Sequence, residues 1–297
     1  MRASWYDQFS DSPDVLRSEQ ADRTVVSVPT PGLAIEIGGN HFITIAGPCS
    51  VETEAQLMAT AIHVRRAGTQ ILRGGAFKPR SSPYSFQGLG LEGLRMLAHA
   101  REETGLAIVT EVMSENDLPL VAEYADILQI GSRNMENYAL LEAAARSGRP
   151  ILLKRGMVAT IADFLRSAQI VLDAGNPNVI LCERGIRTFE TAMRNTFDAA
   201  GIAVLKQITH LPVIADPSHA AGYRELVPAL ARIGVAAGAD GLIAEVHPNP
   251  DAAWSDGEQS LDFPGFDAMM QDLKPWLALR NQTQFCAAES EPAEAVR

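Results

Sequence analysis

From residue 42 onward, short apolar runs rich in β-branched residues alternate with longer stretches in which Ala and Leu recur at helical spacing. The first pattern is that of a strand covered on both faces, the second that of an amphipathic helix. Strands are predicted at 42–46, 70–73, 107–111, 126–130, 150–154, 178–182, 211–215 and 240–245. Helices are predicted at 53–67, 90–104, 115–123, 136–147, 160–173, 188–200, 222–237 and 265–280. Eight strands, each followed by a helix, predict an α/β chain of the (β/α)8 TIM-barrel type over residues 24–280. A doubly wound open sheet would favour a Gly-x-Gly-x-x-Gly turn after the first strand. Gly47, Pro48, Cys49 and Ser50 do not make that turn. Ahead of the barrel, 25–28 and 34–37 flank Pro29, Pro31 and Gly32 and predict a short N-terminal hairpin extension, placed to plug the barrel bottom. Residues 1–23 are polar and acidic without an apolar period and are expected to form a flexible arm or an interface strap. Residues 281–297 read as a disordered tail.

Composition narrows the function. The chain has 297 residues, 46% hydrophobic and 21% charged, which suits an ordinary folded core. Its net charge of −11 argues against nucleic-acid and anionic-membrane partners. No run approaches the ~18 apolar residues of a membrane span. Three widely spaced cysteines, Cys49, Cys182 and Cys286, without a secretory signal, predict a reducing, cytoplasmic setting.

In such a barrel the C-terminal strand ends meet at one mouth. Read strand by strand, they carry two chemical groups. Arg73, Lys78, Arg80, Arg133, Lys154 and Arg184 are six cations aimed at the mouth of an acidic protein. Arg forks and Lys point charges suit phosphate and carboxylate, and six exceed what one monophosphate needs. Cys49, His219, Glu245 and Asp256 form the second group, from the first, seventh and eighth strands and the loop after the eighth. A mixed sulfur, nitrogen and oxygen set suits a divalent first-row metal, Mn, Fe, Co or Zn, acting as a Lewis acid. Taken singly, Cys49 is a small buried hydrophobe, and His219 is a helix cap or a general base. His247 either holds a carboxylate or ligand, or satisfies backbone. Cys182 reads as core; His63, His99 and His210 carry no expected role.

Read together, the segments IAGPCSVE at 45–52, LRGGAFKPRSSPYSFQGLG at 72–90, LQIGSRN at 128–134, LLKRG at 152–156, LCERGIRTFE at 181–190, ADPSH at 215–219, AEVHP at 244–248 and SDG at 255–257 resemble one family. It is the 3-deoxy-D-arabino-heptulosonate 7-phosphate (DAHP) synthases, type I beta branch, which is related to 3-deoxy-D-manno-octulosonate 8-phosphate synthase. The resemblance implies condensation of phosphoenolpyruvate with D-erythrose 4-phosphate, the entry to the shikimate pathway of aromatic amino acid biosynthesis. It implies a metal on Cys49, His219, Glu245 and Asp256. It implies phosphoenolpyruvate on Arg73, Lys78, Arg133, Lys154 and Arg184, the sugar phosphate on Arg80 and Ser81, and Lys78 as proton donor. Catalysis then falls to Lys78, Cys49 and His219. The family usually has Thr where this chain has Ser81, which keeps the hydroxyl. A homotetramer or homodimer is implied. Only about 23 residues precede the core. That is too few for an added ferredoxin-like or chorismate mutase-like domain, so regulation is expected to be absent or supplied by a separate partner such as chorismate mutase.

Three other readings compete. The same chemistry could act on arabinose 5-phosphate or an amino sugar analogue. Lys154 could be a Schiff-base nucleophile. The barrel could also be a non-catalytic scaffold, against which the intact set Cys49, His219, Glu245 and Asp256 weighs.

Overall fold

The structure, a computed structural model, describes residues 5–30, 32, 34–78 and 86–288. A hairpin of β1 (Val26–Val28) and β2 (Ile35–Ile37) precedes eight parallel strands. These are β3 (Ile43–Gly47), β4 (Ile71–Arg73), β5 (Ala107–Glu111), β6 (Ile127–Ile130), β7 (Ile151–Lys154), β8 (Val179–Glu183), β9 (Val213–Ala215) and β10 (Gly241–Glu245). Each pairs with the next, and β10 closes on β3 to complete the barrel. Around it lie α1 (Glu54–Arg66), α2 (Leu91–Thr104), α3 (Leu118–Tyr124), α4 (Tyr138–Arg146), α5 (Ile161–Asp173), α6 (Ala199–Ile208), α7 (Pro217–Ala221), α8 (Val227–Ala236) and α9 (Phe263–Ala288). The predicted TIM barrel and its hairpin are both present. Among the described residues no helix is long and apolar enough to cross a membrane.

Side chains alternate across each strand, so one set faces the barrel axis and the other the helices. Ile45, Ile71, Val109, Ile127, Leu152, Ile180, Cys182, Ile214 and Ile243 pack together inside. Val26, Val28 and Ile37 of the hairpin join that cluster, so the hairpin plugs the bottom of the barrel. Ala46, Leu72, Ile108, Leu128, Leu153, Leu181 and Leu242 point outward into the helix layer.

The same alternation dictates what reaches the mouth. Two residues beyond each inner apolar residue, the inward positions become Gly47, Arg73, Glu111, Gln129, Lys154, Arg184, Asp216 and Glu245. An apolar barrel interior is therefore topped by one polar layer. Gly47 is required in it: with φ 153°, a Cβ there would lie 2.1 Å from the carbonyl oxygen of Arg73.

Several sequence expectations are corrected. The N-terminal segment is not a free arm where it is described. Val15 and Leu16 are buried, Arg17 N donates to Ile208 O at 2.9 Å, and Asp14 N donates to Gln169 Oε1 at 2.9 Å. Isolated apolar residues (Phe9, Val15 and Leu16) pin it to the helix layer without setting up any period. The helix expected at 188–200 is instead a loop, and α6 begins at Ala199 with Asp198 as its cap. Local polar contacts compete with helix there. Glu190 Oε1 accepts from Thr191 N and Ala192 N at 2.7 Å each, and the hydroxyls of Thr188 and Thr196 lie 2.7 Å apart. The helix expected at 222–237 starts late, at Val227: Gly222, in the left-handed region at φ 76°, ends the short α7 ahead of it. At the other end α9 runs on past residue 280 to Ala288, so the tail boundary moves; 289–297 lie outside the described residues.

Candidate active site

Among the described residues the mouth pocket is lined by Cys49, Arg73, Lys78, Glu111, Gln129, Arg133, Lys154, Arg184, Arg194, His219 and Asp256, with Gly131, Ser132 and Met157 between them. Five of the six expected cations meet there. Arg80 and Ser81 lie outside the described residues. Glu245 sits directly beneath, fully buried.

The polar layer carries three cations, Arg73, Lys154 and Arg184, and three carboxylates, Glu111, Asp216 and Glu245. Arg73 Nη1 donates to Glu245 Oε1 at 2.6 Å, and Lys154 Nζ donates to Asp216 Oδ2 at 2.5 Å. Burial would raise Asp216, but His219 and Lys154 hold it well below the usual carboxylate range. Glu111 has no such pairing among the described residues and is pushed up by burial, against the pull of Lys78 and Lys154. Gly131 packs against it: a Cβ there would lie 1.9 Å from Glu111 Oε1 and would force the carboxylate to move.

Arg184 is different. It is 4% exposed, forms no ion pair among the described residues, and its Nη1 has no hydrogen-bond partner. Burial pushes its guanidinium below its ordinary value. A buried cation in this state is stabilised by any anion that enters. Above the layer, the described lining residues include the cations Lys78, Arg133 and Arg194 and one carboxylate, Asp256. The mouth thus carries a surplus of positive charge on a chain that is acidic as a whole.

Of the four expected metal ligands, Cys49, Glu245 and Asp256 bring one donor atom each to within 4.8 Å of one another. His219 borders them, with Nε2 3.5 Å from Glu245 Oε1. Its Nδ1 lies 2.9 Å from Asp216 Oδ2, an ion-pair distance without hydrogen-bond alignment. Burial pushes its imidazole below the usual range. Cys49 Sγ donates to Asp256 Oδ2 at 3.0 Å, and Lys78 Nζ donates to the sulfur at 3.0 Å and to the Cys49 carbonyl. Burial, then the charge of Glu245, pushes the Cys49 thiol up to about 12. One sulfur, one nitrogen and two carboxylates crowd together, the thiol raised by burial and by Glu245, in a donor set that suits a divalent cation.

Asp256 is the only non-glycine residue in the left-handed region among those described, at φ 49°. Asp tolerates that conformation better than most residues, and such strain gathers at functional loops. A clasp holds the loop. Glu52 Oε1 accepts from Trp254 N at 2.7 Å, the Ser50 and Ser255 hydroxyls are bonded, and His247 Nε2 lies 3.2 Å from Glu52 Oε2. His247 Nδ1 accepts from Asn249 N at 3.1 Å, so its proton sits on Nε2, facing the carboxylate. His247 therefore does both things expected of it: it holds a carboxylate and satisfies backbone.

Sequence reasoning missed Arg194 and Gln259. Arg194 lies in the stretch read as a helix, where no side-chain direction could be inferred. Gln259 follows the SDG run by two residues and carried no chemical signal of its own.

A family model described as the DAHP synthetase I family matches residues 18–278. Phospho-2-dehydro-3-deoxyheptonate aldolase of Thermotoga maritima is 52% identical over 240 residues, covering 81% of this chain and 71% of that protein. 2-Dehydro-3-deoxyphosphooctonate aldolase of Syntrophotalea carbinolica is 35% identical over 264 residues, covering 82% and 93%. A crystal structure of the Thermotoga maritima heptonate enzyme (DAHP synthase) superposes with a TM-score of 0.86 at 48% identity, covering 90% of this chain and 77% of that one. A truncated form of 3-deoxy-D-arabino-heptulosonate 7-phosphate synthase from the same organism gives 0.84 at 44% identity, covering 91% and 98%.

Proposed function

The chain belongs to the DAHP synthetase I family, and we propose that it condenses phosphoenolpyruvate with D-erythrose 4-phosphate and water to give 3-deoxy-D-arabino-heptulosonate 7-phosphate and phosphate. The observation that carries this reading is the mouth itself: an inward polar layer with a buried Arg184, unpaired among the described residues, and surplus positive charge above it. Two anionic substrates need such a surface to meet without repelling each other. Identity to the heptonate relative, 52% against 35% for the octonate relative, supports the four-carbon sugar.

Arg73, Lys78, Arg133, Lys154 and Arg184 would hold the phosphate and carboxylate of phosphoenolpyruvate. C3 then forms a bond to the aldehyde carbon of the sugar. Lys78 is the residue assigned, on family resemblance, to give a proton to the aldehyde oxygen. Water adds to the cationic C2, and the C2–O bond to phosphate breaks to release phosphate and the keto acid. Cys49, His219, Glu245 and Asp256 would hold a divalent metal, Mn, Fe, Co or Zn, which supplies Lewis-acid polarisation of the aldehyde oxygen. Arg80 and Ser81 are the residues assigned to the sugar phosphate on family resemblance. A Schiff-base role for Lys154 is not favoured, since its Nζ is bound to Asp216 at 2.5 Å.

The reading also includes a homo-oligomer, supported by the apolar Ile233, Trp276 and Leu279 left exposed on α8 and α9. A separate regulatory partner of the chorismate mutase type remains part of it. A cytoplasmic site is supported by the unpaired thiols of Cys49 and Cys182. The test is phosphate release from phosphoenolpyruvate with purified protein and Mn²⁺. Turnover is expected with erythrose 4-phosphate and its loss with chelator. Activity with arabinose 5-phosphate and none with erythrose 4-phosphate overturns the assignment.

A further inference from the structure

Gln259 stands at the junction of two elements that the metal reading does not use. Its backbone belongs to a segment laid along the end of β10. Leu261 N donates to Glu245 O at 2.8 Å, and His247 N donates to Leu261 O at 2.9 Å. Ser260 Oγ donates to Asp256 O at 3.0 Å, which ties the same segment to the Asp256 turn. The Gln259 side chain is 2% exposed and turned inward.

Both ends of its amide are committed. Nε2 donates to Glu245 Oε2 at 2.6 Å, and Oε1 accepts from Arg194 Nη1 at 2.5 Å. Only this orientation makes each contact a donor–acceptor pair, so the guanidinium and the carboxylate together fix the amide. Arg194 Nη1 also donates to Asp256 Oδ1 at 3.1 Å. One guanidinium nitrogen thus reaches Asp256 directly and Glu245 through Gln259. Glu245 is held on its other oxygen by Arg73, so its carboxylate plane is set from both sides.

We propose that Gln259 and Arg194 form a positioning relay that aims the carboxylates of Glu245 and Asp256 at a shared cation. The inference rests on the metal reading given above and adds to it two residues that touch the ligands rather than the ion. Outer partners of this kind orient carboxylates and tune metal affinity by roughly 10- to 100-fold. The relay also links the loop after β8 to the loop after β10, so the first of these, with no regular helix in it, has a reason for its shape.

The test is calorimetric titration of Mn²⁺ into chelator-stripped protein, for the wild type, Gln259→Met and Arg194→Ala, alongside absorption spectra of the Co²⁺-loaded forms. Gln259→Met keeps the length of the side chain and removes its donor. It is expected to weaken Mn²⁺ binding roughly 10- to 100-fold, to shift the Co²⁺–thiolate bands, and to recover turnover at saturating metal. Arg194→Ala removes a partly exposed side chain, so it keeps the test open should Gln259→Met fail to fold. It is expected to weaken binding as well, and the double variant to lose less than the product of the two single losses. Wild-type affinity and spectra in a folded Gln259→Met protein, or in Arg194→Ala, overturn the relay. So does a double variant whose losses simply multiply. A wild-type protein that takes up no metal overturns the metal centre itself, a result distinct from the other three.

Discussion

The two ends of this barrel are made from the same eight strands and treat charge in opposite ways. At the bottom, Val26, Val28 and Ile37 close the interior with apolar side chains. The buried carboxylate there, Asp240, takes Lys206 at 2.6 Å, Arg280 at 3.2 Å and the backbone of Val213 at 2.8 Å. At the mouth, Arg184 is buried with no ion pair among the described residues, Glu111 is pushed up by burial, and a thiol and two carboxylates crowd together. Unmatched buried charge costs several kcal/mol per group, so one end serves stability and the other forgoes it for ligands. That division predicts which substitutions will change rate and which will change melting.

The largest effect is expected at Cys49. Cys49→Ala removes one donor from a buried set of four and should abolish metal-dependent turnover, a loss on the order of 10³-fold or more. The barrel should survive, because a small apolar side chain suits a buried site that is only 3% exposed. Steady-state phosphate release and thermal melting, measured on the same sample, separate the two. Full activity in that variant would remove the metal from the reading.

Two arginines in consecutive strand-end pairs sharpen the contrast. Lys154 and Arg155 are neighbours in sequence, as are Glu183 and Arg184. Because sides alternate, Lys154 and Arg184 face the mouth while Arg155 and Glu183 face outward. Arg155 Nη1 donates to Glu183 Oε2 at 2.9 Å and to Asp198 Oδ2 at 2.7 Å, inside the helix layer. Arg155→Ala should cost stability, about 3–5 kcal/mol for a broken buried pair, and leave the KM for phosphoenolpyruvate unchanged. Arg184→Ala should do the reverse. Its melting should hold or rise, and KM should increase by the equivalent of about 2–5 kcal/mol, the usual loss when one partner of a buried charge contact is truncated. A shared phenotype for the two variants would break the comparison.

Strand ends were legible in the sequence and parity was not. All C-terminal strand ends of such a barrel meet at one mouth, so Arg73, Lys154 and Arg184 could be grouped as cations and Glu245 as a ligand, while strands apolar on both faces do not tell which of two adjacent charged residues turns inward. The hairpin plug was legible from two short apolar runs around Pro29, Pro31 and Gly32. Long loops have no period, so Arg194 and Gln259 were invisible and 188–200 read as helix from its apolar and helix-favouring residues alone. The packing of the N-terminal segment was hidden because Phe9, Val15 and Leu16 dock singly. The expectation that Cys49, His219, Glu245 and Asp256 meet came from topology, which closes β9 and β10 on β3, rather than from their spacing in the chain.

The bottom end offers a test of intermediate size. Ile37 is fully buried at the plug. Ile37→Ala should destabilise the barrel by about 2–5 kcal/mol through lost burial and a residual cavity. Chemical denaturation should register that loss as a lower midpoint, with kcat and KM of the folded protein unchanged. A change in KM without a change in midpoint would mean that the plug communicates with the mouth, and the two ends would no longer be separable.

The smallest predicted effect asks whether the mouth side tolerates a stability change that does not touch its chemistry. Thr160 caps α5, which follows the β7 loop. Its hydroxyl accepts from Asp163 N at 3.1 Å, while Asp163 Oδ2 accepts from Thr160 N at 3.0 Å and from its hydroxyl at 2.6 Å. Those bonds from Thr160 hold the Asp163 carboxyl below its usual range. A depressed carboxyl stabilises the fold above its unfolded pKa of about 3.9, and that stabilisation fades as pH falls through the lower, folded value. Thr160→Ala should therefore cost about 1 kcal/mol near neutrality, and less in acid, where Asp163 is protonated in both proteins. Melting curves of the two proteins at neutral pH should differ by a few degrees and draw together as pH falls toward that range, while KM stays fixed. A gap that widens on acidification would mean the capping box is not the source of the lost stability.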